Sequence, residues 1–215
     1  MTEAKKRPYR SKLRTDQAAQ THAAILAAAG KEFRAHGWEK TTIASIARRA
    51  GVSAETVYAG FSNKRTLIAA LVEETVRRGA PQTPVLLQQG PRAILGASDP
   101  ASLIAMFAAD IADVLSRVAP LMAVVRAAAT AEPELAALYR QMHEGRKRNL
   151  SVVIQTLADK AALHADLDEN SATALLWRLA SPDLFTLMSD VEGIAQEAYA
   201  TWLEQTLIRL LLPDP

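Results

Sequence analysis

The residues best placed to do chemistry lie between positions 41 and 64: Thr41, Thr42, Ser53, Ala54, Glu55, Thr56, Tyr58 and Lys64. Hydroxyls, a phenol and an ammonium at this spacing do not make a catalytic set. They make a surface that hydrogen-bonds phosphates and base edges. Thr42 and Ser53 each stand just before a short apolar-periodic run, where helix N-caps belong. A capped N-terminus presents backbone N–H groups and a favourable dipole to a phosphate, the role expected of Thr42 and Ser53. Lys64 adds a point charge. Ala54, Glu55 and Thr56, with Tyr58 one turn on, are the first outward residues of the second short helix and the expected base readers. A carboxylate is repelled by phosphate, so Glu55 either accepts from a cytosine amino group or steadies its own helix N-terminus, and the second reading is the simpler.

These side chains need two short helices and a tight turn to hold them. Ile43, Ile46, Ala47 and Ala50 recur at helical spacing and stop at Gly51; Ala54 to Ala59 follow, with Val57 and Phe61 on the inner side. The turn Ala50-Gly51-Val52-Ser53 supplies a residue free to leave the right-handed region, as a helix-turn-helix requires. Neither cap has Glu or Gln three residues on, so plain caps are expected rather than capping boxes. Before this pair, Ile25, Leu26, Ala29 and Phe33 form the stripe of a longer helix ending at Gly37. After it, Ser62 is the expected cap of a fourth helix with Leu67, Ile68, Leu71 and Val72 inward.

Charge divides the chain at the same place. Residues 1–79 hold 15 Lys+Arg against 7 Asp+Glu, a balance of +8, and residues 80–215 hold 10 against 16, a balance of −6, which sum to the net +2. A basic head joined to an acidic body fits a polyanion partner for the head alone, because clustered cations gain by releasing counterions from phosphates. Three segments are expected: a basic flexible arm over 1–16, a helix-turn-helix DNA-binding domain over 17–79, and a helical regulatory and dimerisation domain over 80–215.

The body reads as helix throughout, so the fold class is all-α. Expected segments are Pro100–Arg117, Pro120–Ala131, Pro133–Leu163 with a break near Gly145, 169–190 interrupted or bent at Pro182, and Ile194–Leu212; three of them begin on a proline, which suits a helix's first turn. The stretch 79–100, with Pro81, Pro84, Gly90, Pro91 and Gly96, reads as a linker carrying one short helical piece. The last two helices are too apolar for one small body, and Leu184, Leu187, Tyr199, Trp202, Leu203 and Leu210 are expected to face a second copy in a four-helix homodimer interface. Met106, Phe107, Met122, Tyr139, Met142 and Trp177 are the candidate lining of an effector cavity, with Arg126 or His143 as its polar handle.

Other classes fit poorly. Asp166-Leu-Asp168-Glu-Asn170 opens like a calcium loop, but Ser171 stands where its turn glycine belongs and Trp177 where its bidentate glutamate belongs. Gly96-Ala97-Ser98 lacks the second glycine of a nucleophile elbow. Asp110 and Asp113 share a helix face that reads as solvated. With no cysteine, there is no thiolate chemistry and no disulfide. The opening is basic without the apolar core of a secretory signal, and the apolar runs are interrupted by charge, so a cytoplasmic protein without a membrane span is expected. No enzyme activity, cofactor or metal is expected. The rival reading is a helical scaffold or protein-interaction module whose basic head is incidental.

From Thr21 to Leu71 the sequence resembles the TetR/AcrR transcriptional regulators, in His22-Ala-Ala-Ile-Leu-Ala-Ala-Ala, Phe33, Gly37-Trp38, Thr41-Thr42-Ile43-Ala44-Ser45-Ile46-Ala47, Ala50-Gly51-Val52-Ser53, Thr56-Val57-Tyr58, Phe61, Lys64 and Leu67. More sparsely, Ser181-Pro182-Asp183-Leu184, Gly193, Tyr199, Trp202-Leu203 and Leu210-Leu211-Leu212 resemble the C-terminal regulatory domain of a subset of that family. The resemblance implies a homodimeric repressor that binds double-stranded DNA through a three-helix head and is released by a small-molecule effector. It places Thr42, Tyr58 and Lys64 at positions that touch the DNA backbone. The chain departs from the pattern at three places: His22 replaces a usual arginine, Ala54-Glu55 a lysine–glycine pair, and Gly60 a histidine. Lys5, Lys6, Arg7, Arg10, Lys12 and Arg14 are the cations available to replace the contacts so lost.

Overall fold

The computed structural model describes residues 7–78, 85, 88–160 and 163–213. Among them every regular element is helical. The chain divides into two compact units, Met1–Leu71 and Val72–Pro215.

In the first unit, α1 spans Arg7–Lys40, α2 Ile43–Ala50 and α3 Ala54–Gly60, and α4, Lys64–Arg77, begins there. The core is the stripe foreseen on α1, with Ile25 and Leu26 buried and Ala29 and Phe33 fully so, joined by Ile46, Val57, Leu67 and Ile68. Gly37 breaks α1 with φ 68 and ψ −170, and Trp38 turns inward to stack on Phe33, ring centroids 5.9 Å apart. Within the arm expected over 1–16, the backbone is helical from Arg7 onward. Arg, Lys, Leu, Gln and Ala are good helix formers, and Pro8 sits in the first turn, where its missing N–H breaks no bond. Positions 1–6 lie outside the described residues.

The second unit is built around α6, Pro100–Ala129, capped by Asp99, which accepts from Ser102 N at 2.8 Å. Helices α5 (Gln89–Leu95), α7 (Pro133–Asp159), α9 (Pro182–Thr186) and α10 (Gln196–Leu211) pack on α6, and α8 (Glu169–Leu179) packs on α7. The break expected at Pro120 does not occur. A proline inside a helix costs ~3 kcal/mol, whereas Val118, Leu121, Met122 and Val125 around it are buried, each contributing about 1.5–3 kcal/mol. Burial outweighs the lost bond, and Pro120 itself is exposed. By the same balance α7 runs unbroken through Gly145, because a helical glycine costs only ~1 kcal/mol against the buried Leu135, Leu150, Val153, Ile154 and Leu157.

Of the interruption or bend expected at Pro182, the structure has the interruption. α8 ends at Leu179, Ser181 accepts from Leu184 N at 3.0 Å, and Pro182 takes the first helical position of α9. α9 then widens into a π-helical turn, Leu187–Val191. Asp110 and Asp113 are not a solvated pair: Arg78 bridges to both at 2.8 Å, and Arg117 joins Asp113 at 2.9 Å.

Candidate functional site

The turn between α2 and α3 follows from backbone chemistry. Gly51 adopts φ 71 and ψ 30, a left-handed conformation that glycine enters without penalty, and Val52 N donates to Ala47 O at 3.0 Å to close α2. Thr42 caps α2 by accepting from Ser45 N at 3.0 Å, and Ser45 Oγ accepts from Thr42 N at 3.2 Å in return. This is a capping box in which a serine hydroxyl does what Glu or Gln usually does, so the plain cap expected there is corrected. Ser53 caps α3, accepting from Thr56 N at 3.2 Å. Asn63, not Ser62, caps α4: Thr66 N donates to Asn63 Oδ1 at 2.9 Å and Asn63 N to Thr66 Oγ1 at 3.2 Å.

This framework turns one face of α3 outward. Val57 is fully buried while Tyr58 is 54% exposed, and Glu55 and Thr56 are exposed beside a half-buried Ala54. Thr42 and Ser53 lie exposed at the N-termini of their helices. The Glu55 carboxyl is held below the usual carboxylate range by its own backbone N–H and by the Ser53 hydroxyl. Its lone pairs are thus turned back onto the helix start, in keeping with the simpler of the two readings above.

Two of the expected contacts change character. Thr41 is fully buried and its hydroxyl donates to Gly37 O at 2.6 Å, so it anchors the bend after α1 and offers no surface group. Lys64 Nζ donates to Trp38 O at 2.7 Å and Thr41 O at 3.0 Å and lies 4.1 Å from the Trp38 ring centroid. Its ammonium fastens the 38–41 bend to the start of α4, a structural duty in place of the solvent-facing point charge expected. Sequence reasoning missed the Arg49 Nε to Glu32 Oε1 bond at 2.5 Å, which ties α2 to α1 around a buried carboxylate. The Arg49 hydrogen bond, then that of Ser45, holds Glu32 below the usual range against the opposing effect of burial. His22 lies against Phe61 with ring centroids 4.8 Å apart and planes tilted by 32°.

In the second unit the expected effector residues divide. Phe107 and Met122 are buried core; Met106 is 40% exposed on α6, too open to line an enclosed cavity, and that expectation is corrected. Tyr139, His143 and Trp177 form a chain of edge-on rings, centroids 4.4 Å and 5.7 Å apart, beside a half-buried Met142. Arg126 pairs with Asp183 at 2.5 Å, and Tyr139 Oη donates to the other Asp183 oxygen at 3.2 Å. Burial first, then the Asp183 charge, pushes the Tyr139 phenol up. Arg146, absent from the expected set, lies within this cluster 5.0 Å from the Trp177 ring centroid.

The expected dimer residues divide likewise. Leu187 at 47% and Leu210 at 43% are exposed, with Val191 at 74%, while Leu184 and Trp202 are half-buried. Tyr199 and Leu203 are buried in their own chain and are corrected to core: Tyr199 packs edge-on against Phe185 at 4.9 Å and donates to Leu179 O at 3.0 Å.

An all-helical chain whose first unit presents a capped pair of short helices is of the helix-turn-helix class. Residues 25–71 match the family model of bacterial regulatory proteins, tetR family. Over 58 residues the chain is 40% identical to the HTH-type transcriptional regulator TtgR of Pseudomonas putida, a match covering 27% of this chain and 28% of TtgR. The chain thus spans less than a third of the length of the curated relatives it matches. Its fold is similar to that of the fatty acid degradation regulator FadR of Bacillus halodurans, with TM-score 0.71 and 19% identity over 86% of this chain and 97% of that one. It is also similar to NalD, the secondary repressor of the MexAB-OprM multidrug efflux pump in Pseudomonas aeruginosa, with TM-score 0.68 and 20% identity over 91% and 98%. Among the described residues no helix is long and apolar enough to cross a membrane.

Proposed function

We propose that this chain is a cytoplasmic, DNA-binding transcriptional repressor that holds a palindromic operator as a homodimer and is released by a small molecule. The observation that carries the reading is the outward face of α3, where Tyr58 is 54% exposed while its neighbour Val57 is fully buried and Ser53 caps the helix. Such a helix enters a major groove by its N-terminal end. Thr42, Ser53 and Tyr58 contact backbone, and Ala54 and Thr56 lie against base edges. The basic balance of the first 79 residues supports the same partner. The exposed Leu187, Val191 and Leu210 on the π-turn and α10 support a second copy as the partner of the body. FadR of Bacillus subtilis, similar in fold, was solved in complex with stearoyl-CoA, which supports a helical body of this kind taking a small-molecule ligand.

The test is binding of the full chain to a duplex from its own upstream region at two salt concentrations. Affinity that falls linearly on a log–log plot, by about 0.9 per phosphate neutralised, supports the reading. Equal and salt-insensitive binding to any duplex, or none, favours the helical scaffold instead.

A further inference from the structure

The second unit carries a half-buried cation that makes no ion pair among the described residues. Arg146, midway along α7, has no carboxylate within ion-pairing distance among the described residues; NH1 donates to Ala180 O at 3.0 Å, and NH2 lies 3.5 Å from His143 Nδ1. Its Nε is enclosed and unpartnered, as is His143 Nε2. A guanidinium only donates, so His143 Nδ1 must accept from it, which leaves the imidazole proton on Nε2. Both orphaned atoms are therefore donors. The Asp183 charge favours the Arg146 cation from a distance but bonds to neither orphaned atom, its two oxygens being engaged by Arg126 and Tyr139. Desolvation lowers Arg146 to about 10, still charged at neutral pH. A guanidinium partly withdrawn from water, with an enclosed N–H unpartnered and no direct ion pair, gains most from an acceptor that brings a negative charge.

We infer that Arg146 and His143 form the anchoring end of an effector site for an organic carboxylate with a flat aromatic body. The Nε–NH2 edge of a guanidinium matches a carboxylate side-on with two parallel bonds. One half-buried guanidinium balances one negative charge; a phosphate dianion would need a second cation, and Arg126, the other arginine bearing on the cluster, is committed to Asp183. The edge-on rings of Tyr139, His143 and Trp177 provide an aromatic wall beside the guanidinium. Entry displaces the Arg146–His143 contact, which at 3.5 Å is the longest polar contact in the cluster. This deepens the effector part of the reading above and rests on it for the link to DNA release, though not for binding itself.

The experiment is calorimetric titration of the full chain with benzoate, benzamide and inorganic phosphate, followed by operator affinity with and without benzoate. Benzoate is expected to bind, with benzamide and phosphate at least about tenfold weaker. Arg146→Met is expected to lose about 10- to 100-fold in benzoate affinity, and Arg148→Met, an exposed cation on the same helix, none. Arg146→Met replaces a half-buried cation that has no ion-pair partner with an apolar chain of similar length, so it is expected to fold and to melt close to the parent. Absent benzoate binding, or binding indifferent to Arg146 in a folded variant, overturns the inference while leaving salt-dependent DNA binding untouched. Arg146-dependent binding that leaves operator affinity unchanged upholds the site and refutes effector control. Phosphate binding as tightly as benzoate overturns the carboxylate assignment.

Discussion

Replacing Lys64 by methionine separates two duties that one ammonium could serve. In the structure it donates to Trp38 O at 2.7 Å and Thr41 O at 3.0 Å and sits 4.1 Å from the Trp38 ring centroid. Each charge-assisted bond to a carbonyl is worth about 1.5–3 kcal/mol when buried, and these are part-buried, so about 1 kcal/mol apiece is the fitting scale. The ring contact adds ~0.5–1 kcal/mol. Methionine keeps the length and the apolar stem, so packing is retained and the expected loss is about 2–3 kcal/mol. Urea unfolding followed by circular dichroism gives that loss, since the midpoint falls while the slope is unchanged. In parallel, the slope of log affinity against log salt for operator DNA is expected to match the parent's. A variant as stable as the parent whose salt slope is shallower by about 0.9 would show that Lys64 neutralises a phosphate and that the clamp carries little.

Further perturbations test other joints of the head and body. Gly51→Ala meets no atom within 4 Å, so its cost is the left-handed backbone alone, about 1–2 kcal/mol, read as a lower urea midpoint. Glu32→Gln is expected to lose about 1–2 kcal/mol at neutral pH rather than the larger cost of breaking a fully buried pair, because Arg49 is 44% exposed and returns to water. Because the folded-state value of Glu32 is lowered, its stabilisation is complete above the unfolded carboxylate value and fades as pH falls through the folded one; the gap between variant and parent should therefore narrow in acid, and a gap that widens refutes the pairing. Tyr199→Phe removes the bond to Leu179 O at 3.0 Å and is expected to lose about 1–2 kcal/mol without changing oligomeric state in sedimentation. Leu187→Glu with Leu210→Glu should leave a folded monomer in the same measurement; a persistent dimer would move the interface elsewhere.

Much of the head was legible because its determinants are local. A glycine that must turn left-handed, a hydroxyl three residues from the N–H it caps, and apolar residues every third or fourth position all act within one or two turns. Thr42, Gly51, Ser53 and the Ile25–Phe33 stripe were therefore readable from spacing. Where local signals competed, the nearest one misled. Ser62 is a good cap residue, but Asn63 offers a carbonyl at the right height and Thr66 returns the bond. Of the two prolines, only Pro120 misled: Pro182 begins a helix because Ser181 caps it, while Pro120 is carried inside one by the burial on either side.

The site residues were less legible, for a reason particular to charge. A cation's sequence neighbours do not reveal its partner: Lys64 reaches back 23 and 26 residues, Arg49 reaches 17, Arg146 reaches forward 34 and Arg126 reaches 57. Lys64 and Arg126 could accordingly be picked out as functional on residue type alone, and both proved to be engaged within the fold. Arg146 stands in a run of basic residues that reads as surface, yet its enclosed Nε finds no acceptor among the described residues. A cation satisfied by its own fold holds structure together, and one with an enclosed N–H unpartnered and no carboxylate bonded to it is open to a partner from outside. For this chain that distinction moves attention from Lys64 and Arg126 to Arg146, and the affinity lost in Arg146→Met relative to Arg148→Met measures it directly.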